Sequence, residues 1–316
     1  MSNFSDLRND GVPVGHGHRF SSPWDTHRFV DYDNGSDDND GLEPGFAMQT
    51  IQAAVTASTG GDVIYIRPRA YQCGQGFRRY VEDVTVTLGG AGGSGVVATN
   101  ANMSLIGVTQ RTGAAGDMLG VRWNKVATNL TVDAPAFHVE NIGFFNEDGT
   151  KIIDLTNDGA TRTKQGSLGF SIYNCALKGN KQLYSTGCNE LQIVNCQFQA
   201  KYDGAVGGIN LVGSAQGVAR PIIKNCEFIG GNANEMATAV IQTAAPVYDM
   251  MLRNCYFTLA DGVYMNFAGT TSTGLVADCY FGSADINALC TGLVAGVSGI
   301  FPAGLYDEVG IDDFSS

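Results

Sequence analysis

The clearest pattern of hydrophobic and polar positions is a six-residue phrase that recurs through the second half of the chain. Each copy has an aliphatic residue, a variable residue, Asn or Asp, Cys, a variable residue, and Phe or Leu. The copies begin at Ile172, Ile193, Ile223, Leu252 and Val276, and a weaker copy without Cys begins at Val139. The cysteines lie 21, 30, 29 and 24 residues apart. Repeats of this size are the sequence signature of a solenoid.

The residue types within the phrase indicate strands. Cys and the following Phe or Leu are two residues apart, which places them on one face of a strand. The Asn stands where the chain must bend, and Asn tolerates the left-handed backbone conformation that a bend requires. In stacked coils these Asn side chains would hydrogen-bond to one another as an internal ladder, with Cys as a small apolar filler beside them. The sequence therefore predicts an all-β, single-stranded parallel β-helix.

The predicted structural ladder has one Asn or Asp and one Cys in each full copy of the phrase. Its members are Asn141, Asn174, Cys175, Asn195, Cys196, Asn225, Cys226, Asn254, Cys255, Asp278 and Cys279. Because these cysteines repeat one slot, we expect buried thiols rather than disulfides. Three further cysteines, Cys73, Cys188 and Cys290, fall outside the slot and their state stays open.

Composition and charge narrow the function classes. The chain has 316 residues, 42 of them Gly, and only 16% charged residues, which suits a long solenoid with many turns. A net charge of −12 disfavours a protein that binds nucleic acid along its phosphates. The apolar run 288–305 is interrupted by Gly and Pro, so we expect no membrane span.

Metal and cofactor sites are not predicted. The acidic run 31–40 is the densest group of oxygen ligands, but Gly35 stands where a calcium loop would need a third ligand. We expect a solvated turn there, with calcium as the alternative. The sequence indicates no metal site elsewhere and no cofactor.

The two ends of the chain differ from the repeats. Residues 1–30 are predicted to form either an irregular cap or a docking arm that orders on a partner, with Phe20, Trp24 and Phe29 as aromatic anchors. Residues 288–316 are predicted to form a C-terminal cap or an assembly segment, whose candidate contacts are Leu293, Ile300 and Phe301.

A helix is predicted over about residues 45–59. Phe46, Ile51, Ala54 and Val55 would form its apolar face, and Gly60 and Gly61 would end it. The helix is followed by a buried strand over 62–66 that stops at Pro68.

The beginning of the repeat region carries a resemblance to a known family. Its matching residues are Gly35-Ser36-Asp37, Asp40-Gly41, Thr50 to Val55, Gly61 to Ile66, and Tyr71. They resemble the opening of right-handed parallel β-helix proteins of the pectate-lyase-like superfamily, although Arg69-Ala70 stands where that family more often has Gly-Thr. The resemblance implies a right-handed solenoid over residues 31–287 whose N-terminal helix caps the first coil and hides its open edge.

Two function classes follow from this fold. An enzyme that cleaves polysaccharides needs clustered carboxylates on one strand face. The candidates Asp148, Asp158, Asp203 and Asp261 all precede Gly and are more typical of turns, and the nearest cations are Arg162, Lys164 and Lys201. The sequence therefore predicts no catalytic residues and a protein that is not an enzyme.

The other class is a structural rod, and the chain resembles β-helix proteins of bacteriophage virions. This resemblance implies a capsid decoration protein, of cement or spike type, on the major capsid lattice. Its partners would be the major capsid protein or another virion protein, and copies of itself, possibly as a trimer. The N-terminus lacks a secretory pattern, so we expect synthesis in the host cytoplasm followed by incorporation into the virion. The alternative is a tail fibre or tailspike that binds or cleaves a surface polysaccharide as a lyase or glycoside hydrolase.

Overall fold

The structure is a computed structural model that describes twenty segments of the chain. They are residues 8–9, 12–13, 26–69, 71–72, 76–77, 79–82, 84–87, 102–108, 120–125, 128–146, 151–156, 167–201, 207–212, 218–230, 236–243, 246–259, 263–267, 272–281, 290–291 and 302–303.

More than half of the described residues lie in strands. In chain order these are β1 (Arg8–Asn9), β2 (Val12–Pro13), β3 (His27–Val30), β4 (Val63–Ile66), β5 (Tyr71–Gln72), β6 (Gly76–Phe77), β7 (Val84–Thr87), β8 (Ser104–Gly107), β9 (Val121–Lys125), β10 (Leu130–Asp133), β11 (His138–Glu140), β12 (Ile142–Asn146), β13 (Lys151–Leu155), β14 (Ser171–Tyr173), β15 (Ala176–Gly179), β16 (Lys181–Thr186), β17 (Gln192–Val194), β18 (Gln197–Ala200), β19 (Gly207–Val212), β20 (Val218–Ala219), β21 (Ile222–Lys224), β22 (Glu227–Ile229), β23 (Thr238–Thr243), β24 (Val247–Tyr248), β25 (Met250–Arg253), β26 (Tyr256–Thr258), β27 (Val263–Phe267), β28 (Gly274–Ala277), β29 (Tyr280–Phe281), β30 (Cys290–Thr291) and β31 (Pro302–Ala303). One α-helix, α1 (Ile51–Ala57), and a 3₁₀ turn (Pro44–Phe46) precede β4.

Three long sheets run along the solenoid, and most coils contribute one strand to each of them. The ten-stranded sheet has the order β3-β4-β8-β11-β14-β17-β21-β25-β28-β31. The seven-stranded sheet has the order β29-β26-β22-β18-β15-β12-β9, and the eight-stranded sheet β30-β27-β23-β19-β16-β13-β10-β7. Their pairings are parallel throughout, as between β14 and β17 or between β15 and β18. This topology is that of a parallel β-helix, so the all-β parallel β-helix that the sequence predicts is confirmed.

The interior is built from columns of like residues. Ile172, Ile193 and Ile223 pair in register along the ten-stranded sheet, and all three are fully buried. In the seven-stranded sheet the rings of Phe198, Phe228 and Phe257 stack at 5.0 and 4.8 Å between centroids, with interplanar angles of 9° and 3°. Each coil adds one buried residue to such a column, and this burial supplies the main stabilisation of the solenoid.

The chain turns at two corners that flank the ten-stranded sheet, and at each corner one residue has the left-handed backbone conformation. The corner after the sheet is formed by Asn141, Asn174, Asn195, Asn225, Asn254 and Asp278, with φ between 51° and 59°. The corner before it is formed by Gly61, Asn102, Ala136, Gly169, Glu190, Arg220 and Asp249, also at positive φ. The repeated Asn marks the first corner in the sequence, whereas the second has a different residue type in nearly every coil and was not predicted.

The helix is shorter than predicted. It covers Ile51–Ala57 rather than 45–59, because the chain after Pro44–Phe46 becomes extended and Met48 pairs with Val30. Thr50 caps the N-terminus by accepting a hydrogen bond from the Ala53 amide at 3.1 Å. Buried residues of the helix belong to the main core, but Phe46 is 60% exposed and is not part of the apolar face. No helix among the described residues is long and apolar enough to cross a membrane.

Both ends of α1 are held by distant side chains. The carboxylate of Glu82 accepts hydrogen bonds from the amides of Ile51 and Gln52, each at 2.9 Å, and Arg28 donates to the Ala57 carbonyl at 2.6 Å. These contacts match the partial charges of the two helix ends. The helix packs against β3, β4 and β7, and β3 and β7 are the first strands of their sheets.

The acidic run 31–40 uses its carboxylates as local hydrogen-bond acceptors. Asp31 accepts from the amides of Asp33 and Asn34 and pairs with Arg67 at 2.6 Å. Asp37 accepts from the amides of Gln49 and Thr50. The run is therefore a folded turn that fastens the segment before α1 to the first coil.

Candidate functional site

Outward-pointing residues carry the candidate chemistry, because the inward columns are apolar. In the ten-stranded sheet one outward column contains Ser104, His138, Ser171, Gln192, Ile222, Met251 and Leu275. The other contains Ile106, Glu140, Tyr173, Val194, Lys224, Arg253 and Ala277. Neither column repeats one residue type, so these side chains do not stack on their own equivalents as the interior side chains do.

A polar network occupies the middle of this outer face. His138 Nδ1 lies 2.9 Å from Ser171 Oγ, and His138 Nε2 lies 3.3 Å from Glu140 Oε2. His138 and Ser171 are register partners on β11 and β14, while Glu140 is two residues further along β11 on the same face. The pleat therefore aligns a histidine with a hydroxyl on one side and a carboxylate on the other.

The hydrogen-bond roles follow from chemistry. An ionised Glu140 can only accept, so His138 donates from Nε2, and in the neutral ring Nδ1 then accepts from the Ser171 hydroxyl. The His138 side chain is 2% exposed, and that of Glu140 is 9% exposed. The arrangement holds a carboxylate in one orientation through a buried imidazole, which suits a group that accepts a proton from a substrate or from water.

Tyr173 and Gln192 form the more exposed rim of the network. The Tyr173 hydroxyl donates to Gln192 Oε1 at 2.6 Å, and the His138 and Tyr173 ring centroids are 5.1 Å apart. Both rim residues are half-buried and Tyr173 is the register partner of Glu140. A ligand that approached Glu140 would contact these two side chains first.

A second outward column runs along the seven-stranded sheet. It contains Arg122, Gly143, Ala176, Gln197, Glu227, Tyr256 and Tyr280 in register. The first four are buried, Glu227 is half-buried, and the two tyrosines are each 54% exposed. The column thus changes from buried, or covered, at Gln197 to more than half exposed at Tyr256 within three coils. The tyrosine rings lie 5.3 Å apart with an interplanar angle of 31°.

The predicted Asn ladder lies on the surface of its corner rather than inside. Asn174 donates to Asn141 Oδ1 at 2.5 Å, Asn225 to Asn195 at 3.0 Å, and Asn254 to Asn225 at 2.9 Å. The exposed members are Asn195, Asn225, Asn254 and Asp278. The internal position expected for the ladder is therefore corrected, since the following Cys takes the inward place at the bend.

The five repeat cysteines are buried free thiols, and so is Cys188. Their Sγ atoms lie near backbone carbonyls, as for Cys226 at 3.3 Å from the Lys224 oxygen. Burial raises the pKa of Cys226 well above its ordinary value, and burial raises the pKa of Cys188 to about 11. Cys226 and Cys188 therefore stay in the thiol form and act as small fillers of the core.

Other sequence-predicted residues are placed as follows. Phe29 lies in β3, which pairs with β4, and its ring stacks on Tyr65 at 5.6 Å. The first coil thus already includes residues 27–30, which were grouped with the N-terminal arm. Lys201 follows β18 and is half-buried. The remaining candidates fall outside the described residues: Phe20, Trp24, Leu293, Ile300, Phe301, Asp148, Asp158, Asp203, Asp261, Arg162, Lys164, Cys73 and the terminal segments that contain them.

Sequence reasoning missed both outer faces. A signal was present, because aligning the repeated phrases places His138 beside Ser171 and Glu140 beside Tyr173. The same alignment places Glu227, Tyr256 and Tyr280 in one column. The expected signal was a pair of carboxylates, whereas the carboxylate of Glu140 is paired with the imidazole of His138.

The solved structures to which the chain is similar include the following two. One is titled a rhamnogalacturonan lyase, with 15% identity, a TM-score of 0.47, and coverage of 80% of this chain and 67% of that chain. The other is titled a tailspike protein from Acinetobacter baumannii bacteriophage Fri1, a capsular polysaccharide depolymerase, with 11% identity, a TM-score of 0.29, and coverage of 69% of this chain. The chain spans half the length of that tailspike. No family model and no curated protein matches the chain.

These findings correct one expectation. The prediction that the chain is not an enzyme is wrong by this comparison, because both similar structures carry the titles of enzymes.

Proposed function

We propose that this protein acts on a polysaccharide as a tailspike or tail-fibre component of a bacteriophage virion, and that it cleaves the chain at the outer face of the ten-stranded sheet. The observation that carries the proposal is the network of Glu140, His138 and Ser171. Its three groups come from two adjacent strands and lie at hydrogen-bond distance in a face that is otherwise mixed in residue type. Its virion context rests on the resemblance of the sequence to virion β-helix proteins.

Glu140 is the catalytic base in this proposal. Its carboxylate takes the proton from an attacking water, whose oxygen bonds to the anomeric carbon while the glycosidic bond breaks. The departing sugar oxygen takes its proton from a second water, and Glu140 afterwards returns its own proton to solvent. His138 is a positioning residue, since it donates to Glu140 and is itself held by Ser171. Tyr173 and Gln192 contact the sugar at the rim. A preformed orientation of this kind removes the need to reorganise the base during the reaction.

A cleavage assay with an isosteric variant tests this function. The probes are purified bacterial capsular and O-antigen polysaccharides, and the readouts are new reducing ends and ultraviolet-absorbing unsaturated ends. The wild type is expected to release reducing ends from at least one probe, and Glu140→Gln is expected to lower kcat by about 100-fold or more. His138→Gln is expected to lower kcat with little change in KM.

Ser104→Ala is the matched control. Ser104 is buried in the same outward column and is the other register neighbour of His138, but it belongs to no contact of the network. Its variant should cleave at the wild-type rate, and all variants should unfold at similar temperatures. Failure of the wild type on every probe, or wild-type cleavage by Glu140→Gln, would refute the proposal. Unsaturated products would assign Glu140 to removal of a carbon-bound proton, as in a lyase.

The capping role of α1 is also part of this proposal. Its support is the contact of the helix with the first strands of two sheets and its attachment through Glu82 and Arg28. Glu82→Ala should loosen the helix and increase binding of a hydrophobic dye, whereas the exposed-site variant Val81→Ala should not. Attachment to a major capsid protein, to another virion protein or to further copies of the chain stays a prediction for the terminal segments.

A further inference from the structure

The outward column of the seven-stranded sheet has the features of a ligand site separate from the Glu140 network. Gln197, Glu227, Tyr256 and Tyr280 follow one another on adjacent strands. Adjacent strands are about 4.7–4.9 Å apart, so Gln197 and Tyr256 are separated by about 9–10 Å along the solenoid axis. The column therefore offers polar groups and aromatic rings in a straight line.

The tyrosine pair is the most exposed part of this column. Both rings are 54% exposed and lie side by side with centroids 5.3 Å apart, although aromatic side chains are normally used to fill the interior. The phenylalanines in the neighbouring inward column fill that role here. Two adjacent exposed rings present a continuous aromatic surface, which can contact the C–H groups on the apolar face of a pyranose ring.

Gln197 supplies an independent observation. Its side-chain nitrogen donates to Glu227 Oε2 at 2.8 Å, but its Oε1 has no hydrogen-bond partner among the described residues. The residue is only 5% exposed, and a buried carbonyl oxygen without a donor is unfavourable. This oxygen lies at the covered end of the column, so a ligand that reached past Glu227 would satisfy it with a hydroxyl or amide N–H.

We infer that Gln197, Glu227, Tyr256 and Tyr280 form a binding subsite for uncharged pyranose residues of a polysaccharide. Tyr256 and Tyr280 stack against the sugar faces, Glu227 accepts hydrogen bonds from hydroxyl groups, and Gln197 Oε1 accepts from one further donor. The inference rests on the proposed polysaccharide function and names the class of sugar that this face takes.

Charge selects uncharged sugars. The Glu227 carboxylate lies within the column, and the chain as a whole has a net charge of −12, so a uronic acid placed over Glu227 is repelled. Cations occur at Lys178, in the neighbouring outward column, and at Lys201. Lys178 lies on β15 and its register partner on β18 is Gln199, whereas Glu227 lies on β22, the next strand after β18. Lys178 is therefore nearer to the covered part of the face than to Glu227. Binding of an acidic sugar would use those lysines instead.

Binding of defined oligosaccharides tests the inference without any cleavage. Cellohexaose, chitohexaose and hexagalacturonate are titrated into the full chain by calorimetry, and saturation-transfer NMR reports the contacts with aromatic protons. At least one of the two uncharged probes is expected to bind. Tyr256→Ala and Tyr280→Ala should each weaken that binding by about tenfold, while the corresponding Phe variants should stay within about twofold because they keep the ring.

Tyr248→Ala is the matched control, since Tyr248 is 40% exposed but lies in β24 outside the column. It should bind as the wild type does. Glu227→Gln should improve binding of hexagalacturonate by removing the repelling charge. Glu140→Gln should bind normally, so loss of cleavage with retained binding separates the two proposals.

Three results would overturn the inference. They are the absence of binding by both uncharged probes, unchanged affinity in Tyr256→Ala, and preferential binding of hexagalacturonate that is lost in Lys178→Ala. None of these results depends on whether the chain cleaves a polysaccharide.

Discussion

The inside and the outside of this solenoid follow different rules. Inward columns keep one residue type from coil to coil, as in Ile172, Ile193 and Ile223 or in the stacked Phe198, Phe228 and Phe257. Outward columns change at almost every coil, for example from His138 to Ser171 to Gln192. In a stacked fold each interior side chain meets its own equivalent above and below, so packing favours repetition. Outer side chains have no such requirement.

The outward columns also differ from each other. In the ten-stranded sheet the polar network is buried and its groups satisfy one another, which suits a chemical step. In the seven-stranded sheet the tyrosines are open to solvent, which suits binding. Departures from the repeat are therefore more informative about function than the repeat itself.

The largest expected effect is in the interior. Phe228→Ala removes a fully buried ring that stacks on two neighbours, and should lower the free energy of unfolding by about 3–5 kcal/mol. Lys224→Ala, an exposed outward position of the same coil, should change it by less than about 0.5 kcal/mol. Denaturant unfolding measures both. Equal losses of unfolding free energy in the two variants would contradict the proposed difference between inward and outward positions.

A polar residue in place of a buried Cys should lower the free energy of unfolding almost as much. Cys226→Gln adds volume and an amide where the thiol is buried beside the Ile193 and Lys224 carbonyls, and should cost roughly 2–4 kcal/mol. Cys226→Ala creates only a small cavity and should cost about 1 kcal/mol. Thermal unfolding compares the pair. If Gln were tolerated as well as Ala, the slot would not be a packed interior position.

Replacement of an Asn in the corner after the ten-stranded sheet should lower the free energy of unfolding by less, and for two reasons. Asn225 has φ of 54° and hydrogen-bonds to Asn195 and Asn254. Asn225→Ala loses these bonds and keeps a conformation that Ala disfavours, so a loss of about 1–3 kcal/mol is expected. Asn225→Gly should recover part of the loss because Gly adopts positive φ freely. Identical losses in the two variants would assign the whole effect to the side-chain ladder.

The smallest effect is expected from acid titration of the first turn. Burial raises the pKa of Asp31, but hydrogen bonds from Asn34 and Arg67 outweigh it and hold the pKa below its ordinary value. A carboxyl group with a lowered pKa in the folded state stabilises the protein above its unfolded pKa of about 3.9, and that stabilisation disappears as the pH falls through the folded pKa.

Unfolding of the wild type and Asp31→Asn at several pH values isolates this group, since all other carboxyl groups titrate in both proteins. The wild type should be the more stable at neutral pH, and the difference should shrink below pH of about 4. A difference that stayed constant with pH would show that Asp31 contributes through packing alone.

Much of the fold could be predicted because the repeat encodes it directly. The spacing of Cys and Phe identifies a strand face, and Asn before Cys identifies a bend, so the parallel β-helix follows from short-range pattern alone. The helix boundaries were less accurate. Thr50 is a cap whose position depends on Asp37, and Asp37 contacts the Thr50 amide and hydroxyl from 13 residues away. Local propensity does not contain that contact.

The sequence by itself determined the repeating inward columns of this protein, its buried thiols and the position of its Asn corner. Only the tertiary structure decided the outer faces. His138 and Ser171 are 33 residues apart, and Tyr256 and Tyr280 are 24 residues apart, yet each pair meets because one coil returns directly over the last. The length of each coil varies, so which outward residues become neighbours depends on the register between strands. That register is set by burial of the inward columns, and the functional groups are placed as its consequence.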